Sequence, residues 1–459
     1  MSATPPDATT EPLSTESAVR ESTGDMHAAR RARLMARVGA TSAALVVAYP
    51  ERNRSNDSNH PYRPSSDLWY LTGFEEPEAA MLLLPGHPEH PFVLFLRERN
   101  LKMEIWDGPR VGLERAREMV GADKAFTFEQ LEEELPKLLA GRASLHYSLG
   151  VDAAMDDVVL KSYRKALRTA RGRARAPTSI IEPGEALHEM RLIKSPEEIE
   201  AMRRCCEVSA AGHVRGMRVT RPGMTEFELQ AEIEHVFRKQ GARSPGYPSI
   251  VGTGTNACVL HYIENRDTLA DGDLVLVDAG AEVDYYTGDI TRTWPVSGEF
   301  NGYQRTIYDL VLRAQMEAIS LVKPGLPWHE LHECTVQVIT EGLCDLGLLE
   351  GPVEKAIEDK AFKKFYMHGT GHWLGIDVHD VGAYAREGEK SRPLEAGMCF
   401  TIEPGIYFHP EVENCPTDFL GIGVRIEDDI LVTEDGCEVL TRGVPKEPEE
   451  IMEIVGKDA

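Results

Sequence analysis

The stretch LVLVDAGAEVDYYTGDITRTWPV, residues 274–296, decides how the second half of this chain folds. It is apolar and β-branched, yet it carries Asp278 and Asp289. Along one straight strand these carboxylates would face opposite ways, about 36 Å apart at ~3.3 Å per residue. A hairpin reversing between Val283 and Asp284 would set them opposite each other, with Cβ atoms roughly 4.5–5.5 Å apart. No Asn-Gly or Asp-Gly marks that turn. Two bare carboxylates ~4 Å apart repel by about 4 kcal/mol at an effective dielectric of about 20. Such a pairing needs a shared proton, a basic partner or a metal ion. The competing reading is that both side chains point into water. Leu274, Leu276 and Val277 around Asp278 argue against it.

The chain has 459 residues, enough for two or three domains. Apolar content of 42% and charged content of 27% are those of a soluble globular protein. No apolar run approaches the ~18 residues of a membrane span, so no membrane partner is expected. A formal charge of −25 argues against nucleic acid as the main partner. The eight cysteines include no C-x-x-C pair, and no secretory signal is visible. Reduced thiols in a cytoplasmic protein are expected. Residues 1–25 are polar and rich in Ser, Thr and Pro, and read as disordered. The run HAARRARLMARV reads as a surface helix, since the acids before it (Asp7, Glu11, Glu16, Glu21, Asp25) do not suit a transit peptide.

Residues 26–186 read as one α/β domain. SAALVVAY and FVLFL are buried strands, LEEELPKLLA is a helix, and residues 61–86 carry a strand, a glycine turn and another strand. Residues 168–185 read as a connector. Ser195, Pro196 and Glu198 then form a capping box with Pro at the first helical position, a good domain boundary. Thr225 and Glu228 repeat the box, and Gly241 stops that helix. Beyond the boundary the chain echoes itself. RPGMTEFEL (221–229) matches KPGLPWHEL (323–331) at an offset of 102, and LVLVDAG matches CFTIEPG at an offset of 125. In the second pair an apolar run meets Asp278 or Glu403, with Gly two residues on. A further strand, GIGVRIEDDILV, carries Glu427. The expected fold is therefore mixed α/β (α+β): an N-terminal α/β domain, then a duplicated pseudo-twofold domain over 187–445 and a tail over 446–459. Its symmetry would bring all four carboxylates to one centre.

Four sheet carboxylates in one place call for cations, and two divalent metals fit best. A fifth ligand should be nitrogen. HGTGHWLGIDVHD (368–380) offers three histidines in a glycine-rich loop that lacks the glutamate of a zincin helix. Oxygen donors with one imidazole favour Mn, Co or Fe over Mg or Ca. Two such ions suit hydrolysis. Arg425 shares a strand face with Glu427 and would hold a ligand carboxylate ionised and oriented.

Asp278, Asp289, His372, Glu403 and Glu427 resemble, in identity, order and context, the five-ligand dinuclear set of the pita-bread metallopeptidases. YRPSSDLWYLTGFEEPEA, LHYIEN, HGTGHWLGIDVHDVG and GIGVRIEDD resemble the aminopeptidase P branch, down to its N-terminal domain. The resemblance implies removal of an N-terminal residue that precedes proline, with Mn²⁺ as the usual metal. It implies that Glu403 is both ligand and proton shuttle and that His261 and His379 flank the scissile group. His368 would contact the proline side, and Tyr407 either substrate or Glu403. It also implies a homo-oligomer, dimer or tetramer, in which Trp106 lines a neighbouring subunit's site. Arg386 and Arg392 compete for one family arginine position. The alternatives are an Xaa-Pro dipeptidase (prolidase) and a pita-bread module that binds without catalysis.

Overall fold

The structure, a computed structural model, describes residues 15–170 and 175–459, with side chains from residue 26 onward. The chain forms two units, residues 1–190 and 191–459. The stretch expected to be disordered lies outside the described residues as far as residue 14, and from Thr15 the backbone belongs to helix α1 (Thr15–Val38).

Unit one is built on a six-stranded mixed sheet. Its strands are β1 (Ser42–Val47), β2 (Ala80–Leu83), β3 (Phe92–Leu96), β4 (Lys124–Thr127), β5 (Ser144–His146) and β6 (Ser179–Ile181), in the order β4-β3-β2-β1-β5-β6. Leu45, Leu82, Val93 and Phe95 pack from the sheet against Leu131, Leu135 and Val159. Two segments differ from the sequence reading. Residues read as a strand within 61–86 form helix α2 (Ser66–Thr72), because Ser65 caps it by accepting from the Leu68 N–H and Gly73 ends it in the left-handed region. The apolar run looked like a strand because six of its seven residues are buried, which erases any 3.6-residue periodicity. The connector contains edge strand β6, paired in parallel with β5.

Unit two shows the duplication. Helices α3 (Pro196–Val219) and α4 (Glu226–Lys239) start at the two expected capping boxes. Helices α5 (Gly302–Leu321) and α6 (Trp328–Asp345) are their counterparts. The backbone pairing repeats with the sequence. Gly223 donates to Leu269 and Leu269 to Met224; Gly325 donates to Leu394 and Leu394 to Leu326. These partners are related by the same offsets, 102 and 125, as the two echoes.

The first half holds strands β7 (Ile250–Thr253), β8 (Leu274–Asp278), β9 (Ala281–Val283), β10 (Tyr286–Thr287) and β11 (Thr291–Pro295). The second holds β12 (Cys399–Ile402), β13 (Gly405–Tyr407), β14 (Gly423–Arg425), β15 (Asp428–Val432) and β16 (Cys437–Val439). The hairpin exists, but its turn lies one residue later than expected. Val283 pairs with Tyr286, leaving Asp284 and Tyr285 as a two-residue turn with φ of 50° and 68°. Positive φ at both positions is the type I′ turn that matches strand twist. Asp278 consequently opposes Thr291, and Asp289 sits diagonally two residues away. The expected tail docks as helix α7 (Pro448–Ile454), with Ile451 buried and the Gly456 N–H bonded to the Met217 carbonyl.

Candidate functional site

A cavity of about 440 Å³ in unit two is lined by all four sheet carboxylates (Asp278, Asp289, Glu403 and Glu427), by His261, His368, His372 and His379, and by Arg425. Asp278 ends β8, and Asp289 lies between β10 and β11. Glu403 follows β12, and Glu427 lies between β14 and β15. The diagonal placement still joins the two aspartates, through a residue the sequence did not single out. The Tyr247 hydroxyl lies 2.7 Å from Asp278 Oδ1 and 2.6 Å from Asp289 Oδ1. Its single proton serves one carboxylate at a time, so the second short contact needs a proton on the carboxyl group itself.

Ligand-type atoms of Asp289, His372 and Glu427 all lie within 4.8 Å of one another. His372 Nδ1 donates to the Trp373 carbonyl at 3.0 Å. That bond leaves Nε2 facing inward, 3.3 Å from Asp289 Oδ2 and 3.7 Å from Glu403 Oε1. A histidine whose other nitrogen is fixed on a carbonyl is in the tautomer a metal needs. The loop lies flush on β12: the Thr401 carbonyl occupies the space a Cβ at Gly371 would take.

Arg425 binds Asp278 Oδ2 through Nη2 at 2.6 Å, Thr291 Oγ1 through Nε at 3.0 Å and the Tyr407 hydroxyl through Nη1 at 3.1 Å. The Thr291 hydroxyl in turn donates to Glu427 Oε2 at 2.7 Å. Its position opposite Asp278 follows from the shifted register, which sequence alone did not reveal. Tyr407 is fully buried and is not among the lining residues. It joins Arg425 to His368 Nε2, 2.8 Å away. Neither Arg386 nor Arg392 is among the lining residues; both bind Glu395 instead.

The electrostatics are those of excess negative charge. Burial pushes the carboxyl groups of Asp278, Glu403 and Glu427 upward, Glu403 to about 7. Neighbouring carboxylates add to the rise at each, and Arg425 opposes it. Burial pulls His372 down, but Asp289 at bonding distance and Glu403 raise it to about 9. Burial and then Arg425 push His368 down to about 3, keeping it neutral. Four carboxylates thus face one guanidinium and one imidazole. The oxygen-rich donor set with one imidazole fits hard divalent cations.

The profile of metallopeptidase family M24 matches residues 200–434, which carry the four carboxylates, Arg425 and the four histidines. The chain belongs to this family. Residues 27–147 match the aminopeptidase P N-terminal domain. Relatives of this chain include the Xaa-Pro aminopeptidase of Escherichia coli strain K12, 47% identical over 93% of this chain and 96% of the relative. Human Xaa-Pro aminopeptidase 3 is 34% identical over 93% of this chain and 85% of its own length. Among solved structures, Pseudomonas aeruginosa aminopeptidase PepP superposes with a TM-score of 0.91 at 48% identity, covering 94% of this chain and 97% of its own. A glutamate-to-alanine variant of E. coli aminopeptidase P in complex with substrate gives 0.90 at 45% identity, covering 94% and 98%. Family M24 membership and these likenesses bear out the expected mixed α/β architecture and the aminopeptidase P resemblance.

Proposed function

We propose that this chain is a metallo-exopeptidase that removes an N-terminal residue preceding proline, cutting the Xaa–Pro bond of peptides of three or more residues. One observation carries the reading. Four carboxylates and one inward-facing imidazole converge on a cavity flanked by further histidines, in a chain 47% identical to an Xaa-Pro aminopeptidase.

Asp278, Asp289, His372, Glu403 and Glu427 would hold two divalent cations, Mn²⁺ suiting the mixed donor set. When bound, such ions supply Lewis acidity and water acidified toward neutral pH. Arg425 fixes Asp278 and, through Thr291, Glu427. Glu403, which lines the cavity, would also take up and return the proton of the attacking water. His261 and His379 would donate ring N–H groups to the oxygen that gains charge. His368 would meet the proline side, steadied by Tyr407 from behind. The substrate's free α-amine would bind at the metal centre, which accounts for exopeptidase action. A cytoplasmic homo-oligomer, dimer or tetramer, is the expected assembly. Trp106, 83% exposed, is the residue it would offer to a neighbouring copy.

Hydrolysis of a matched dipeptide, tripeptide and longer peptide with proline second, after Mn²⁺ reconstitution, tests this. Release of the first residue from the tripeptide is expected. Cleavage of the dipeptide alone would favour an Xaa-Pro dipeptidase, and cation binding without any cleavage would favour a binding module.

A further inference from the structure

His261 and His379 are exposed members of the cavity wall, and in each case the next residue is tied to a buried charged group. Asp380 follows His379. Its Oδ1 accepts from Arg191 Nη2 at 2.5 Å and its Oδ2 from Lys194 Nζ at 3.1 Å, all three side chains being at most 3% exposed. Arg191 reaches Asp377 on the same loop at 2.8 Å. The Asp380 N–H donates to the Trp373 carbonyl at 2.8 Å. Asp380 Oδ2 fills the space where Gly375 lacks a side chain, so any larger residue there would displace the carboxylate.

Tyr262 follows His261, and its hydroxyl donates to Glu226 Oε2 at 2.8 Å. Glu226 is fully buried in the first turn of α4. It also accepts from the Thr253 N–H at 2.8 Å, Asn256 Nδ2 at 3.0 Å and the Asp267 N–H at 2.9 Å. One carboxylate therefore grips both ends of the loop that carries His261. None of the five anchoring groups is among the residues lining the cavity. Consecutive Cα atoms are only ~3.8 Å apart, so a locked neighbour limits how far the histidine backbone can drift. A misplacement of about 1 Å can cost on the order of 10²-fold in rate.

We propose that Asp380, held by Arg191 and Lys194, and Tyr262, held by Glu226, are positioning residues that aim His379 and His261 at the bond being cleaved. The proposal rests on the aminopeptidase reading of those histidines. Its test is a double-mutant cycle in the Mn²⁺-loaded enzyme. Asp380→Asn should lower kcat about tenfold, the scale of outer-shell losses, with KM and metal content little changed. In the His379→Ala background the same change should cost less than about twofold, since the residue it positions is gone. Tyr262→Phe should follow the same pattern against His261→Ala, starting from about threefold. Equal losses in the two backgrounds would overturn the proposal, because Asp380 would then act on the fold as a whole. Unchanged kcat in His379→Ala alone would overturn the reading of that histidine, a result visible without any anchor variant. If Asp380→Asn does not fold, Asp377→Asn removes a 36% exposed partner of Arg191 and should show the same background dependence at about threefold.

Discussion

Glu427 and Asp428 are neighbours in the chain and both are buried, but unit two treats their charges in opposite ways. Asp428 Oδ1 accepts from Arg292 Nη2 at 2.6 Å and Thr441 Oγ1 at 2.7 Å. Its Oδ2 accepts from Lys446 Nζ at 2.7 Å and Gln315 Nε2 at 2.9 Å. Burial alone would raise this carboxyl, but Arg292 and Lys446 hold it well below the usual range. Glu427 receives Thr291 and sits among Asp278, Asp289 and Glu403, and burial with those neighbours drives it well above. The same strand region thus satisfies one carboxylate with two cationic side chains and leaves the adjacent one short of positive charge. A fold able to neutralise a buried acid so fully at 428 leaves room for something other than protein at 427.

The sharpest way to test that contrast is to remove acids from each cluster. Glu403→Ala should lower kcat by about 10³-fold with the fold retained, as loss of a proton-transfer group does. Substantial turnover in that variant would take Glu403 out of the mechanism. The paired amides should then cross over. Asp428→Asn strands Arg292 and Lys446 without a counter-charge and should cost about 3–5 kcal/mol of stability. Glu427→Gln should abolish most activity, yet in chelator it should unfold at or above the wild-type Tm because it relieves repulsion. Equal destabilisation by the two amides, measured by denaturant titration, would erase the distinction.

The smaller effects concern pH. Asp428 contributes stability that is complete above its unfolded value near 3.9 and is lost as pH falls through its lower folded value. His213 is fully buried, donates Nε2–H to the Ala279 carbonyl at 2.8 Å, and is pushed by burial from 6.5 to about 4. As pH falls the unfolded chain binds this proton first. His213 should therefore cost about 3 kcal/mol of stability between pH 6.5 and 4, and nothing further below that. Chemical denaturation of wild type and His213→Asn across that range checks it; parallel pH slopes would assign the loss to other groups.

Duplication made Asp278 and Glu403 legible at a fixed offset, since each ends an apolar run and precedes a glycine by two residues, whereas His372 stood out as a ligand only through the family resemblance. The capping boxes at Ser195 and Thr225 were legible for a local reason, the Ser/Thr-x-x-Glu spacing. What the sequence did not carry depends on register. A turn misplaced by one residue moves the pairing by two, so Thr291 opposite Asp278 and Tyr247 between the aspartates were invisible. Helix α2 was hidden by burial on every side. The Arg191–Asp380 contact joins residues 189 positions apart, and nothing in either local sequence announces it.

Equilibrium dialysis of the wild-type chain and Glu427→Gln against Mn²⁺, followed by elemental analysis, addresses the carboxylate cluster most directly. Two ions per chain are expected in the wild type and fewer in the variant, with activity following occupancy. A wild-type chain that binds none, and still hydrolyses an Xaa-Pro-Xaa peptide in chelator, would contradict it.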